Sequence, residues 1–289
     1  MMHMDPAYKL IIEQKLRDFL LEDCHFQDVS SLLIPDARST AIIMAKETGF
    51  VCGLLEIQIL FDLVGCNLVA SKVDGDPVSH GDVVATIEGP ARAILLAERT
   101  ALNILMHLSG VVTTTREFQA IVENERVNPR CRIAATRKTI PGLRAMEKRA
   151  VMIGGGDTHR WNLDDMVMLK DNHRVYFDDI EGMIAACRHM ISFTKKIEIE
   201  VTTVDDTLKA ANAGADIIML DNMTFDDMEN AVNTLRNTGL RDKVVLESSG
   251  NVDLETLPQH AKTGVDLIST SAITLKAKPL DFSLEISDR

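Results

Sequence analysis

The chain has 289 residues, with 31 Lys and Arg against 43 Asp and Glu and a formal net charge of −12. This acidic balance argues against sequence-independent nucleic-acid binding, which needs a broadly basic face. No apolar run reaches the roughly 18 residues of a membrane span, and the N-terminus lacks the uninterrupted apolar stretch of a signal peptide. The five scattered cysteines match no zinc or disulfide pattern, so we expect free thiols in a soluble, cytoplasmic protein.

The first part of the chain mixes helical and strand patterns without a repeating order. Turn signals such as Asp74-Gly75 separate the short strands. The pattern therefore predicts an α+β layer. Its elements are helices over 5–21 and 53–64, strands within 39–47 and 67–89, and a long helix over 95–123 in which a break at Ser109-Gly110 stays open.

After residue 130, short apolar strands alternate with helical segments whose starts carry Thr or Asp. This rhythm is typical of parallel βα units. The predicted strands are CRIAAT (131–136), MVML (166–169), KIEIEV (196–201), DIIML (216–220), KVVLES (243–248) and VDLIS (265–269), and the helices lie over 178–190, 203–214 and 225–239. Both a barrel and an open doubly wound sheet fit. A barrel is favoured because polar residues follow every strand, where barrel enzymes build their sites.

The charges around these strand ends are unequal. The cationic candidates are Arg137, Lys138, Arg144, Lys148, His159, Arg160 and Lys170, and the anionic ones are Glu200 and Asp221. Arginine grips carboxylates and phosphates in bidentate fashion. Two carboxylates on separate strands suit Mg²⁺ bound together with substrate phosphates. The residues alone thus predict a phosphorylated, magnesium-bound substrate with a second acidic partner.

The stretch 136–160 contains six Lys or Arg and two acids. A helix is predicted after Ile140, with Pro141 in its first turn. Arg144 and Lys148 then share one face, either as part of an anion site or as a solvated surface. Arg149 is assigned to solvent.

Two glycine-containing turns have competing interpretations. Residues 154–156 either stop the preceding helix or let backbone amides approach an anion. The turn Ser249-Gly250-Asn251 precedes a predicted helix start, which is an arrangement suited to phosphate. Thr270 and Ser271 follow the last strand and complete the set of polar strand ends.

Taken together, these segments resemble the quinolinate phosphoribosyltransferase family. The matching segments occur in the family's order over about 98–271. They are ERTALNILMHLSGVVTTT (98–115), ATRKTIPGLRAMEKRAVMIGGGDTHR (135–160), LKDNH (169–173), EIEV (198–201), GADIIMLDNM (214–223), ESSGN (247–251) and GVDLIS (264–269).

The resemblance implies a type II phosphoribosyltransferase with an N-terminal α+β sandwich and an incomplete, seven-stranded α/β barrel. We expect the sandwich domain over 1–112, joined by 276–289, and the barrel over 113–275. The family works as a dimer or an assembly of dimers, in which Arg99 enters the neighbouring site and contacts quinolinate.

The resemblance also implies roles for the polar strand ends. Arg137, His159 and Arg160 would surround the quinolinate carboxylates. The catalytic candidates are Lys138 and Lys170, near the ribose, phosphates and carboxylates, and Glu200 and Asp221, near the ribose and magnesium. The other substrate-binding candidates are Thr136, Arg144, Lys148, Ser249, Gly250, Asn251, Thr270 and Ser271.

Three positions depart from the family pattern. Thr158 stands where Asn is common, Asn251 where Gly is common, and Ser271 where a glycine commonly offers its amide to phosphate. Serine still offers an amide and adds a hydroxyl, so phosphate binding is expected to persist, while its geometry stays open.

The implied reaction is transfer of phosphoribose from phosphoribosyl pyrophosphate to quinolinate. It yields nicotinate mononucleotide, pyrophosphate and CO₂, so the enzyme would be a pentosyltransferase of NAD biosynthesis. The alternatives are the molybdenum-operon homologue of the family, a nicotinate-specific phosphoribosyltransferase, and a non-catalytic barrel that binds a phosphoribosyl ligand.

Overall fold

A computed structural model of the chain describes residues 5–286, so the first four residues and the last three of the predicted C-terminal segment lie outside the described part. The α-helices are α1 (Pro6–Asp23), α2 (Leu54–Leu63), α3 (Ala91–Glu125), α4 (Arg144–Ile153), α5 (Asp171–Arg174), α6 (Ile180–Met190), α7 (Val204–Asn212), α8 (Phe225–Asn237), α9 (Leu257–Lys262) and α10 (Ala272–Leu275). The strands are β1 (Arg38–Ala45), β2 (Gly49–Phe50), β3 (Asn67–Ala70), β4 (Pro77–Val78), β5 (Val83–Pro90), β6 (Arg132–Ala134), β7 (Val167–Leu169), β8 (Ile197–Val201), β9 (Ile217–Asp221), β10 (Val245–Ser249), β11 (Leu267–Ser269) and β12 (Phe282–Ile286).

The chain divides into two compact units. The first consists of residues up to Thr114, 140–154 and those from Lys276 onward, and the second consists of 115–139 and 155–275. The first unit contains a four-stranded antiparallel sheet in the order β12-β1-β5-β3. This confirms the predicted mixed N-terminal layer. The domain boundaries at 112/113 and 275/276 stay a prediction.

Arg149 shows why residues 140–154 group with the first unit. Its guanidinium donates to both Glu56 oxygens at 3.1 and 3.2 Å and to Asp74 Oδ2 at 2.6 Å. The guanidinium also lies 5.7 Å from the ring centroid of Tyr8. Arg149 is only 9% exposed, so its assignment to solvent was wrong. Buried charges are tolerated when paired in this way.

The second unit is built on a six-stranded parallel sheet in the order β6-β11-β10-β9-β8-β7. All six predicted strands are confirmed. The first strand lies beside the last and the others follow in sequence, which is the order of a barrel and not of a doubly wound sheet. Of the seven strands expected, six form, and Asp157 contributes only an isolated parallel bridge to Ala134.

The helices α6, α7 and α8 alternate with these strands along the chain, and each begins at a predicted Asp or Thr cap. Asp179, Thr203 and Thr224 each accept a hydrogen bond from a backbone N–H in the first turn. Apolar strand residues such as Ile199 and Leu220 are fully buried and form the core of this unit. No helix in residues 5–286 is long and apolar enough to cross a bilayer. All five cysteines lie in this range as free thiols.

The structure decides the open question of a break in α3 and corrects the predicted start of α4. Helix α3 runs without a break through Gly110. A Cβ at this position would lie 2.3 Å from the Lys278 carbonyl oxygen, so only glycine permits this approach. Helix α4 begins at Arg144 and not near Pro141, because Gly142 has a φ of 90°, which no helix accommodates. Gly155, with a φ of 90°, lies just beyond the end of the same helix.

Candidate active site at the carboxyl ends of the barrel strands

The strand register brings the predicted polar residues to one edge of the sheet. Ser249 lies opposite Asp221 in the pairing of β10 with β9, and Val201 lies opposite Leu220 in the pairing of β8 with β9. Parallel strands end at a common edge, so the side chains that follow β7 to β10 are neighbours there.

The acidic residues at this edge are held by polar partners. Glu200 forms an ion pair with Lys170, which directly follows β7, the strand adjacent to β8. Asp221 Oδ2 accepts a hydrogen bond from Asn222 Nδ2 at 2.9 Å. Neither carboxylate is fully buried. Each therefore keeps an oxygen lone pair available to a ligand.

Such a pair of carboxylates fits Mg²⁺. This ion takes oxygen ligands and in substrate complexes uses one or two carboxylates, phosphate oxygens and water. Glu200 and Asp221 extend from adjacent strands of one sheet.

The turn after β10 contains two consecutive left-handed residues, Gly250 with a φ of 98° and Asn251 with a φ of 53°. Successive backbone N–H groups in such a turn can form an anion-binding concavity. Helix α9 begins only at Leu257 and has six residues. The expectation that a helix start follows the turn directly was therefore wrong, and the amides of the turn carry any phosphate-binding role.

The loops after β6 and β11 are tied together. Thr274 Oγ1 donates to the Lys138 carbonyl oxygen at 2.9 Å, and the Thr136 hydroxyl accepts from Lys138 N at 3.0 Å. Thr270 Oγ1 donates to the Val252 carbonyl and accepts from Ala272 N, each at 3.0 Å. The Thr270 hydroxyl thus stabilises the loop, while Lys138 remains exposed.

Arg137 and Arg160 form a pair of like charges. Arg160 is 8% exposed, and its guanidinium contacts the Met166 carbonyl and Met168 Sδ at 3.5 and 3.2 Å. Burial, followed by the positive charge of Arg137, lowers the pKa of Arg160. The carboxylates of Glu198, Glu200 and Asp165 act on the Arg160 pKa in the opposite direction. Both guanidinium groups are of a type that binds carboxylates in bidentate fashion.

His159 lies between two buried carboxylates that the sequence interpretation missed. Its Nε2 is 3.0 Å from Glu247 Oε2 and 3.4 Å from Glu198 Oε2, and both glutamate side chains are fully buried. Burial and then the charge of Glu247 raise the pKa of Glu198 to about 7. Burial lowers the pKa of His159, but hydrogen bonds to Glu198 and Glu247 outweigh this and raise it to about 10.

These three side chains also lie close enough to hold a cation, since their ligand atoms are within 4.8 Å of one another. However, His159 Nδ1 accepts from Arg160 N at 2.7 Å, so a neutral imidazole carries its proton on Nε2. An imidazolium, which the raised pKa favours, carries a proton on both ring nitrogens, so its Nδ1 does not accept from Arg160 N. In either form Nε2 donates to the buried carboxylates, so His159 is held between Glu198 and Glu247.

A signal for the two glutamates was present in the sequence. Glu198 lies two residues before Glu200 in β8, so both point to the same side of the strand. An acid inside an otherwise apolar strand is itself unusual.

Three predicted site residues belong to the first unit. Arg99 is exposed on α3 and lines a groove of about 380 Å³ with Phe19, Asn103 and Ile140 of the same unit. Arg144 is half-buried at the start of α4. Lys148 is fully buried, so the alternative of a solvated helix face was wrong for it.

Comparison with known proteins identifies the family. Residues 27–109 match the N-terminal domain of quinolinate phosphoribosyl transferase, and residues 111–285 match its C-terminal domain. The chain belongs to the quinolinate phosphoribosyl transferase family.

Individual relatives agree over nearly the whole chain. A probable nicotinate-nucleotide pyrophosphorylase (carboxylating) of Methanothermobacter thermautotrophicus is 44% identical over 94% of this chain and 97% of its own length. The human nicotinate-nucleotide pyrophosphorylase (carboxylating) is 34% identical over 93% of this chain and 89% of its own. The crystal structure of NadC from Streptococcus pyogenes has a TM-score of 0.89 and 36% identity, with all of both chains covered.

Proposed function

We propose that this quinolinate phosphoribosyl transferase family member transfers phosphoribose from phosphoribosyl pyrophosphate to quinolinate, with release of pyrophosphate and CO₂. The product, nicotinate mononucleotide, enters NAD biosynthesis. The observation that carries the proposal is the match of the chain to both domains of quinolinate phosphoribosyl transferase. Arg137 and Arg160 support it, because guanidinium groups bind carboxylates in bidentate fashion. The printed names of the bacterial, archaeal and human relatives support the same reaction.

In this reaction the pyridine nitrogen of quinolinate is already a nucleophile, so the attack needs no general base. Arg137 and Arg160 bind the carboxylates and orient the ring, which lowers the entropic part of the barrier. His159 precedes Arg160 in the chain and is held in place by its contacts with Glu198 and Glu247. Orientation by paired arginines is therefore the first contribution of the site.

Charge stabilisation is the second contribution. Glu200 and Asp221 place negative charge where positive charge develops on the ribose, and Lys138 and Lys170 stabilise the departing pyrophosphate. Bound Mg²⁺, held by the two carboxylates, would neutralise the pyrophosphate oxygens. Backbone amides bind the 5′-phosphate. They belong to the turn that contains Gly250, after β10, and to Ser271, after β11.

Decarboxylation follows ribosylation. The ring nitrogen is then cationic and accepts the electrons left on C2 when CO₂ departs. Exclusion of water assists this step, because a carboxylate is solvated better than the transition state in which its charge has spread. No further cofactor is required.

A turnover assay tests the proposal. Purified protein with quinolinate, phosphoribosyl pyrophosphate and Mg²⁺ should form nicotinate mononucleotide and CO₂ in equal amounts. Nicotinate in place of quinolinate should give little product, which separates the nicotinate-specific alternative. Folded protein that binds phosphoribosyl pyrophosphate without turnover would support the non-catalytic barrel instead. The presence of Lys170, which the molybdenum-operon homologue tends to lose, favours quinolinate.

The active assembly we propose is a cytoplasmic homodimer, or an assembly of dimers, in which Arg99 enters the neighbouring site. Its exposure on α3, beside a groove of the first unit, supports this role. Arg99→Ala and Lys138→Ala chains should each be inactive, and mixing them should restore part of the activity. Absence of rescue after proven subunit exchange would exclude shared sites.

A further inference from the structure

Asn222 has an unusual backbone conformation beside the candidate magnesium site. It follows Asp221 at the end of β9 and has a φ of 51°. Side chains other than glycine are disfavoured there, although asparagine tolerates the conformation better than most. Such a conformation persists only where the surrounding residues hold it in place, and it is often found at functional sites.

The side chain of Asn222 connects two loops. Its Nδ2 donates to Asp221 Oδ2 at 2.9 Å, and its Oδ1 lies 3.4 Å from the donor Asn251 Nδ2. The opposite orientation of the amide would place oxygen against the carboxylate and nitrogen against a donor. Its backbone N–H also donates to the Ser249 carbonyl at 2.9 Å. Asn222 therefore holds the loop after β9 to the turn after β10.

Gly250 completes this junction. A Cβ at position 250 would lie 2.2 Å from Asn222 Oδ1 and 3.0 Å from Asn222 N. The missing side chain lets the amide of Asn222 occupy that space. Gly250 is thus required for close packing as well as for its φ of 98°.

We propose that Asn222 is a positioning residue that fixes the Asp221 carboxylate and the Ser249–Asn251 turn in one arrangement. This inference rests on the proposed function, in which the acid and the turn bind the ribose–magnesium region and the 5′-phosphate of one phosphoribosyl pyrophosphate molecule. Asn222 does not touch the reacting atoms. Its loss should weaken phosphoribosyl pyrophosphate and leave quinolinate binding, through Arg137 and Arg160, nearly unchanged.

Two variants separate the contacts of Asn222. Asn222→Gly removes the whole amide and retains the backbone conformation. Asn222→Asp retains the shape and an oxygen toward Asn251 but removes the donor to Asp221 and adds a repelling charge. Asn233→Ala, which removes an exposed amide on α8, is the matched control.

For Asn222→Gly we expect a roughly tenfold rise in KM for phosphoribosyl pyrophosphate, the effect of one hydrogen bond to a charged group. The KM for quinolinate should change by less than about twofold on the same reasoning, since the arginine pair is untouched. Asn222→Asp should alter the Mg²⁺ concentration that gives half-maximal activity. The control should match the wild type in all three quantities.

Calorimetric titration of phosphoribosyl pyrophosphate in Mg²⁺, without quinolinate, gives a readout that does not depend on turnover. Asn222→Gly should bind about tenfold more weakly. Unchanged affinity, or equal losses for both substrates, would overturn the inference. If Asn222→Gly is unfolded by circular dichroism, Asn222→Asp decides by the same titration. An inactive wild type that still shows the affinity difference would refute the proposed function and not the positioning role.

Discussion

Replacement of Arg149 by methionine should cause a large loss of stability. The change keeps much of the apolar volume but leaves Glu56, which is fully buried, and Asp74 without their cationic partner. Removal of one partner of a buried ion pair costs about 3–5 kcal/mol. Asp74 retains hydrogen bonds from Gly53 N and Leu54 N, both at 2.9 Å, which places the expected loss in the lower half of that range.

The loss should depend on pH in a defined direction. Burial raises the pKa of Glu56, and Arg149 opposes this rise. Without Arg149 the folded-state pKa of Glu56 is higher still, so the folded protein binds a proton that the unfolded chain releases. Stability of Arg149→Met relative to wild type should therefore fall as pH rises above the ordinary pKa of glutamate.

Urea unfolding followed by circular dichroism at pH 5, 7 and 8 measures both effects. Arg17→Ala, which breaks an exposed pair with Glu13 on α1, is the control and should lose at most about 1 kcal/mol. Combining Arg149→Met with Glu56→Met should recover part of the loss, because no glutamate charge is left buried. A loss equal to that of the control, or one independent of pH, would refute the reasoning.

Three further predictions concern single contacts. Gly110→Ala should lower the melting temperature in calorimetry, because the alanine Cβ would lie 2.3 Å from the Lys278 carbonyl oxygen. Helix propensity alone predicts the opposite, since alanine is the better helix former by about 1 kcal/mol. A higher melting temperature would therefore contradict the contact. Arg160→Lys should raise KM for quinolinate at least about tenfold, with little change for phosphoribosyl pyrophosphate, because lysine cannot bind a carboxylate in bidentate fashion; equal effects on both substrates would count against the arginine pair. Glu198→Gln should gain stability relative to wild type in urea titrations as pH rises from about 4.5 to 7. The reason is that burial raises the folded-state pKa of Glu198 to about 7, so its ionisation destabilises the native wild-type chain over this interval. A constant stability difference between the two proteins across the interval would exclude this ionisation.

The barrel strands and their polar ends were predictable because each βα unit repeats a local pattern. Thr203 and Thr224 precede amphipathic helices, and the caps are local contacts of a few residues. The sequence could not place Arg149, since its partners lie 93 and 75 residues away in the chain. A charged residue on a helix carries no local mark of such a distant partner.

The sequence predicted which residues lie at the strand ends of the candidate site, but not which of their side chains contact one another. Lys170 and Glu200 were identified separately, and only the adjacent strands show that they pair. Asn222 was one of two polar residues after β9, and its link to Gly250 depends on a left-handed backbone that no residue pattern specifies. Contacts between loops require the tertiary structure.

The pairing of β12 with β1 has a consequence for biosynthesis. Ala45 lies opposite Phe282 and Ala41 opposite Ile286, so the antiparallel sheet of the first unit takes an edge strand from residues that are synthesised long after β1, β3 and β5. Helix α4, which also belongs to the first unit, follows β6 of the second unit in the chain and is therefore synthesised after it. Non-local pairing of this kind slows folding. The sheet of the first unit cannot be completed before β12 has been synthesised. Until then the edge of β1 that does not pair with β5 is a site where a chaperone that shields strand edges would act.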